Sequence, residues 1–472
     1  MQVVKNYLYN AFYQIFILIV PLVTTTYLAR VIGPTGVGIN SYTNSIIQYF
    51  ILFGSMGVNL YGNRQIAFVR DNEEELTATF YEIFFMKLIT VLIAYLAFLL
   101  FLWLIGSYRI YYLAQSVSLI AAAFDISWFF MGVENFGVTV FRNFLVKIVT
   151  LISIFTFVKS YSDLAVYILI LSLSLLVGNL SLFPNLHRYI GKFNIQDLHP
   201  FKHALPALSL FIPQVATQIY LVVNKTMLGA MTSVVASGYF DQSDKIIKMV
   251  LAIVTATGTV MLPHVANAFM KGEKEKTKQY LYKSFSFVSM LAIPLMLGLI
   301  VIADEFVPLF FTNKFLEVSN LLKVEAIVIV LIAWSNAIGT QYLLPTNQTK
   351  DYTRSVVCGA VVNILANIPL IIMWGALGSA IATVLSELTV TIYQFLVVRN
   401  QLDFGKLFHD VQKYLVAGIA MVGGILVLIQ RLPSSWLYLG IEILVGILIY
   451  FIFLIILRVD IFNSAKKILK KL

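Results

Sequence analysis

The chain has 472 residues, of which 60% are apolar and only 12% charged, with mean hydropathy +0.87 and net charge +10. Soluble domains keep about a quarter of their residues charged, so this composition excludes a soluble enzyme or globular binding module. The basic residues fall between apolar runs, which is a membrane-topology pattern and not that of a nucleic-acid partner. The single cysteine, Cys358, rules out an intramolecular disulfide and a cysteine metal cluster.

The apolar runs reach the roughly 20 residues that cross a bilayer, predicting an all-α polytopic membrane protein, not a β-barrel of short alternating segments. About 14 spans are expected, near 8–32, 37–62, 78–104, 108–131, 137–158 and 163–185, then 203–230, 233–262, 279–303, 319–343, 353–374 and 377–399, then 412–430 and 436–457. No cleavable signal is expected, because the first run is long and ends at Arg30, Gly33 and Pro34 without a small-residue cleavage site.

With both termini placed in the cytoplasm, the inside segments carry about 20 lysines and arginines. Only Arg30, Arg109, Lys159, Lys314 and Arg431 fall outside. That asymmetry is the positive-inside bias, and it supports an even number of spans. The connector 186–202, with Pro200, divides the chain into two lobes, 1–200 and 201–400, each of six helices. A last pair of helices and the basic tail KKILKKL make up 401–472. A faint internal echo crosses the connector: Gly38 precedes Ile46 and Ile47 as Gly238 precedes Ile246 and Ile247. Paired halves are a common transporter plan.

Several apolar spans carry polar stripes. The second has Ser41, Asn44, Gln48, Ser55 and Asn59, at spacings that share one helical face. The seventh has Gln214, Gln218 and Lys225, and the twelfth has Thr383, Glu387, Thr391 and Gln394. Such faces avoid lipid. Each stripe can serve helix–helix hydrogen bonding or line a shared aqueous cavity. In the eighth span, Asp241–Lys245 and Asp244–Lys248 have the acid-before-base order of intrahelical pairs.

Charges inside the first half are Lys87, Arg142 and Lys147 against Asp125, with Glu82 near a span start. That basic excess suits an anionic substrate. Arg142 and Lys147 point about 140° apart on a helix, so one of them is expected to face a neighbouring helix or the interface instead of a cavity. His199 and His203 have metal-ligand spacing, but Pro200 intervenes and interfacial histidines are the better reading. GPTGVG at 33–38 lacks the Lys-Ser/Thr of a phosphate loop and reads as a turn. Pro21, Pro213, Pro294 and Pro369 mark kinks within spans. No nucleophile–base constellation is visible.

Three stretches carry a family resemblance. They are NAFYQIFILIVPLVTTTYLARVIGPTGVGINSYTNSI, DISWFFMGVENF followed by Arg142, Asn143 and Lys147, and NKTMLGAMTSVVASGYFDQSDKII. Through them the chain resembles the polysaccharide-repeat flippases (Wzx-type) of the multidrug/oligosaccharidyl-lipid/polysaccharide exporter superfamily. The resemblance implies two six-helix lobes around a central cavity, plus two C-terminal helices. It implies translocation of an undecaprenyl-diphosphate-linked oligosaccharide from the inner to the outer leaflet by alternating access. Two positions depart from the pattern: Asn224 stands where an acid is frequent, and Met131 where a polar residue is common.

On this basis Arg30, Lys87, Arg142, Lys147 and Lys225 are candidate diphosphate ligands. Ser41, Asn44, Gln48, Asn59, Gln214 and Gln218 are candidate sugar ligands, since amides and hydroxyls both donate and accept. Asp125, Asp241, Asp244 and Glu387 are candidates for coupling to a proton or sodium gradient, with structural pairing the alternative for each, favoured for Asp241 and Asp244. No cofactor or metal is expected. The expected partners are the lipid-linked oligosaccharide, membrane lipids and a polysaccharide polymerase or other assembly proteins, around a monomer in the bacterial plasma membrane. The alternatives are a multidrug–cation antiporter on the same fold, a non-transporting scaffold of a polysaccharide-assembly complex, and a membrane glycosyltransferase or polymerase. The basic excess weighs against the antiporter, the stripes against the scaffold, and the short outer loops against the enzyme.

Overall fold

The computed structural model describes residues 20–460 apart from 193–195 and 197. These residues form helices joined by short turns, with no strand among them, and fall into two compact units that meet in the chain between Gly238 and Tyr239.

The first unit contains a helix over 20–31 (α1), then α2 (Gly33–Ser55), α3 (Val58–Val69), α4 (Glu73–Leu104), α5 (Arg109–Ala123), α6 (Ser127–Gly132), α7 (Phe136–Phe157), α8 (Leu164–Leu180), the short α9 (Phe183–Leu186) and α10 (Ala204–Met231). It also takes the first turn of α11 (Val234–Met270). The second unit contains the rest of α11, α12 (Lys274–Phe310), α13 (Glu317–Glu325), α14 (Ile327–Ile338), α15 (Thr349–Val398), the short α16 (Phe404–Leu407), α17 (Val411–Ile429) and α18 (Trp436–Ile456).

Nine helices among the described residues are long and apolar enough to cross a bilayer, or ten if the bent α11 counts as one span. The expected spans map onto these elements, and the difference in count has identifiable sources. Most of the first run lies outside the described residues. The polar stripe of α2 lowers its hydropathy. The runs 353–374 and 377–399 form the 50-residue α15, which is broken at Gly375 (φ 56°), the junction between them. Another break separates α2 from α3, where Met56 (φ 42°) and Gly57 (φ 72°) are left-handed.

Local chemistry sets the helix ends. The Asn72 side chain accepts from the Glu74 and Glu75 amides at 3.1 and 3.3 Å, capping α4, and Glu73, Glu74 and Glu75 sit at its positive end. At α6 the carboxylate of Asp125 accepts from the Ser127 amide at 2.9 Å, and the Asp125 carbonyl accepts from Trp128 Nε1 at 3.0 Å. Trp128, Phe129 and Phe130 are fully buried. Trp128 lies on Gly62, where a Cβ would come within 2.5 Å of the indole. The DISWFFMG stretch is thus an aromatic wedge that fixes α6 against α3.

A second anchor joins the connector to the bundle. Glu82 is 1% exposed and accepts from the His199 amide at 2.9 Å, from Lys202 at 2.6 Å and from His203 Nε2 at 3.0 Å. The other ring nitrogen of His203 bonds the Tyr61 hydroxyl at 2.7 Å. The His203 ring therefore bridges a carboxylate and a phenol, while His199 contributes its backbone amide. A buried carboxylate with this many donors is costly to remove. Glu82→Ala is expected to cost roughly 2–4 kcal/mol, by leaving buried donors unmet. Thermal unfolding in detergent measures this, and a melting temperature equal to wild type would refute the anchoring role.

Gly38 and Gly238 meet. A Cβ on Gly38 would stand 2.0 Å from the Val234 carbonyl oxygen, and one on Gly238 would stand 2.7 Å from Gly38 Cα. The start of α2 crosses the start of α11 at backbone contact, beside a hydroxyl pair formed by Ser41 and Ser237 at 3.3 Å. Nearby, the Tyr42 ring occupies the space a side chain at Gly229 would take, and Thr226 donates to Ser45 at 2.9 Å.

Candidate substrate site

The polar side chains of the first unit gather along α2, α3, α4 and α5. Lys87 is 1% exposed, and its ammonium donates to the Asp125 carbonyl at 2.9 Å and lies 3.5 Å from Asn59 Oδ1. The Asp125 carboxylate lies close enough to Lys87 to interact electrostatically. A lysine and an aspartate placed in this way compensate each other, which is the usual condition for charge at bilayer depth. Lys87 is therefore the buried, compensated member of this cluster, and Asn59 is the exposed one.

Higher on α2, Asn44 donates to Gln115 at 3.3 Å, and Gln115 donates to Asn40 at 3.1 Å. This amide chain joins α2 to α5. Ser41 is committed to Ser237, so Ser41 and Asn44 both serve helix–helix hydrogen bonding. Gln48 is half-buried on the same helix. Gln218 on α10 is exposed, Lys225 is half-buried, and the Gln214 side chain lies outside the described residues.

Arg142 and Lys147 diverge on α7 as the helical spacing requires. Arg142 Nη1 donates to Asn179 Oδ1 on α8 at 2.9 Å, and Asn179 donates to the Ala121 carbonyl at 2.7 Å. Arg142 also lines a cavity of about 370 Å³ between α7 and α8, walled by Leu145, Val146, Val149, Leu173 and Val177. Arg142 is thus the cation that faces a neighbouring helix. Lys147 is half-buried and meets no acid among the described residues. Arg30 is exposed at the end of α1.

In the second unit, Asp241–Lys245 and Asp244–Lys248 close as intrahelical ion pairs at 2.5 and 2.8 Å. Glu387 is 8% exposed on α15. Beside it on the same helix, Thr391 donates to the Leu331 carbonyl and Gln394 to Ser355, at 3.1 and 3.0 Å.

Sequence reasoning passed over Asn40, Gln115 and Asn179, each a polar residue inside an apolar run. Gln115 stands with Ser116 and Ser118 in α5, a cluster visible in the sequence. Reasoning of the same kind also missed Glu305 and Glu442, acids close to span ends.

Comparison with known proteins gives a consistent picture. A family model described as polysaccharide biosynthesis protein matches residues 3–269. A protein from Escherichia coli (strain K12), named as an O-antigen transporter, is 23% identical over 402 residues, covering 84% of this chain and 96% of the relative. The fold is similar to that of a lipid II flippase, MurJ, in an inward closed conformation, with a TM-score of 0.79 and 18% identity over 96% of this chain and 99% of that one. It is similar also to an inward-facing multidrug-resistance MATE transporter, with a TM-score of 0.63 and 13% identity over 84% of this chain and 96% of that one.

Proposed function

From a chain that belongs to the polysaccharide biosynthesis protein family, is a multi-pass membrane protein and has flippases and transporters among its relatives, we propose a transporter and not an enzyme. Its substrate is an oligosaccharide linked to undecaprenyl diphosphate, moved from the inner to the outer leaflet of the bacterial plasma membrane for capsule, teichoic acid or O-antigen assembly. The observation that carries this reading is a polar set within an otherwise apolar bundle: the amides of α2, α3 and α5, with the half-buried Lys147 on α7 and Lys225 on α10. It offers amides to sugars and cations to phosphate, with the acids already neutralised.

Within that reading the cations take different roles. Lys147 and Lys225 supply the diphosphate clamp, with Arg30 near the outer exit and Arg142 at the α7–α8 wall. Lys87 positions the clamp and does not reach the ligand. Gln48, Asn59, Gln214 and Gln218 meet sugar hydroxyls, and Asn40, Asn44 and Gln115 hold that face rigid. Glu387 is the acid that remains a coupling candidate in the second unit. Both termini lie in the cytoplasm by the loop-charge bias, and the monomer works with a polysaccharide polymerase and other assembly proteins.

The test is translocation in proteoliposomes, using an undecaprenyl-diphosphate oligosaccharide and an outer-leaflet probe. The double variant Lys147→Ala, Lys225→Ala is expected to lose roughly tenfold or more in rate, the equivalent of about 1.4 kcal/mol or more of lost charge-assisted bonding to phosphate. Full activity in the folded double variant would refute the clamp. Efflux of an organic cation, without lipid transport, would favour the antiporter.

A further inference from the structure

A buried acid pair in the second unit stands apart from every residue used so far. Glu442 on α18 is fully buried. Neither of its carboxylate oxygens has a hydrogen-bond partner, and Oε2 of Glu305 on α12 has none either. Their position follows from the antiparallel packing of the two helices. Tyr450 donates to the Met290 carbonyl at 2.8 Å, and at the other end Phe310 meets Trp436 with ring centroids 6.5 Å apart. Between those two contacts the carboxyl of Glu305 lies beside that of Glu442, close enough to interact.

Among the described residues no cation balances the pair. Lys323, which α13 brings to this end of α12, is held by Asp304 at 2.6 Å. On α17, the Gly424–Ile449 and Gly446–Ile425 contacts bring the end of that helix toward Glu442. The stretch Ile425–Ile429 carries no charged residue, and Arg431 follows it in an exposed turn. The other lysines of α12 lie at its opposite end, and Lys413 of α17 is paired with Asp410 at 2.7 Å. Two adjacent carboxylates in a low-dielectric helix packing cannot both ionise. An ionised Glu442 without a donor would carry the full desolvation penalty.

We propose that Glu305 and Glu442 form a proton-binding site, holding one proton between them and taking up a second from the aqueous phase through the half-buried Glu305. With one proton bound, the O–H of one carboxyl donates to the carboxylate oxygen of the other and the pair is monoanionic. A proton delivered from hydronium then protonates that carboxylate, releases water and leaves the pair neutral. The switch changes by one unit the charge buried where α12, α17 and α18 pack together. Its use as the coupling step rests on the transporter reading above; the binding of the proton does not.

The experiment is infrared difference spectroscopy of the purified full chain in liposomes, stepped from about pH 5 to about pH 9. Wild type is expected to lose a protonated-carboxyl C=O band on raising pH, and the band is expected to be absent from the Glu442→Gln difference spectrum. Glu305→Gln should leave a Glu442 band whose titration midpoint has moved, which keeps the test intact if one variant fails to fold. A wild-type spectrum with no such band overturns the proposal, and so does a band unchanged in both variants. A band abolished by sodium at constant pH, and not by raising pH, replaces the proton with a metal cation and also overturns it. Transport under an imposed pH gradient is then compared. If the band titrates but substrate fails to move in wild type, the transporter reading fails and the proton site stands.

Discussion

Lys87→Met is expected to be among the most damaging single substitutions in the first unit, lowering stability by roughly 3 kcal/mol and abolishing transport. The methionine fills the same volume, so packing loss is small. The loss comes from charge. Asp125 keeps its bond to the Ser127 amide and the weaker attraction of Arg142 but loses its stronger cationic partner, and the Asp125 carbonyl and Asn59 Oδ1 lose their shared donor. A carboxylate stranded at bilayer depth either takes up a proton or draws in water, and both loosen the start of α6. The check is a double-mutant cycle with Asp125→Asn, read by thermal unfolding in detergent. If the pair is the unit described, the double variant recovers a large part of the loss, because the stranded charge has gone. Equal losses that simply add would show that the two residues act independently.

The second large effect is expected at Gly38. Alanine there places a methyl group 2.0 Å from the Val234 carbonyl oxygen, inside any allowed separation, with backbone as the obstacle. The start of α2 and the start of α11 must therefore move apart. Overpacking of this kind costs typically 1–3 kcal/mol. It also breaks the Ser41–Ser237 pair that depends on the close approach. Gly238→Ala meets the Gly38 backbone at 2.7 Å and should act in the same direction. Gly423→Ala is the control, since nothing lies within 4 Å of a Cβ at that position. A cysteine pair at Ser41 and Ser237, cross-linked with a short reagent, reads the contact directly. Wild-type melting and transport in Gly38→Ala would show that this crossing is not required.

The echo between Gly38 and Gly238 illustrates what a sequence can hold without disclosing it. Two glycines 200 positions apart, each before an Ile-Ile pair, read as weak repeat evidence. The structure explains why glycine stands at both: the two backbones touch. The DISWFFMG stretch shows the reverse case. Its acid stood out because charge is rare in a span. The structure shows the Asp125 carboxylate accepting from the Ser127 amide at the start of α6, and the three aromatics at 128–130 are core. The charge was legible; its partner, 38 residues earlier on another helix, was not.

The divergence of Arg142 and Lys147 could be derived, because helical rotation between residues five apart is fixed by backbone geometry alone. Which of the two would meet α8 could not, because that depends on how α7 is turned against its neighbour. The intrahelical pairs Asp241–Lys245 and Asp244–Lys248 were readable for the same local reason, and they close as the spacing requires. The pairing of Glu305 with Glu442 had no local signature. The residues are 137 positions apart, and each looks like an ordinary acid near the end of a span.

By itself, then, the amino-acid sequence determined the all-helical membrane class, the family likeness and the intrahelical ion pairs. Those properties follow from transfer free energy and from helical periodicity, which act on neighbours in the chain. Only the tertiary structure decided which polar groups are spent on one another. It withdrew Ser41, Asn44 and Lys87 into contacts between helices, and it left Glu442 without a donor. Hydrogen bonds and charge compensation in a bilayer are satisfied between helices distant in the chain, and their pairing is set by packing.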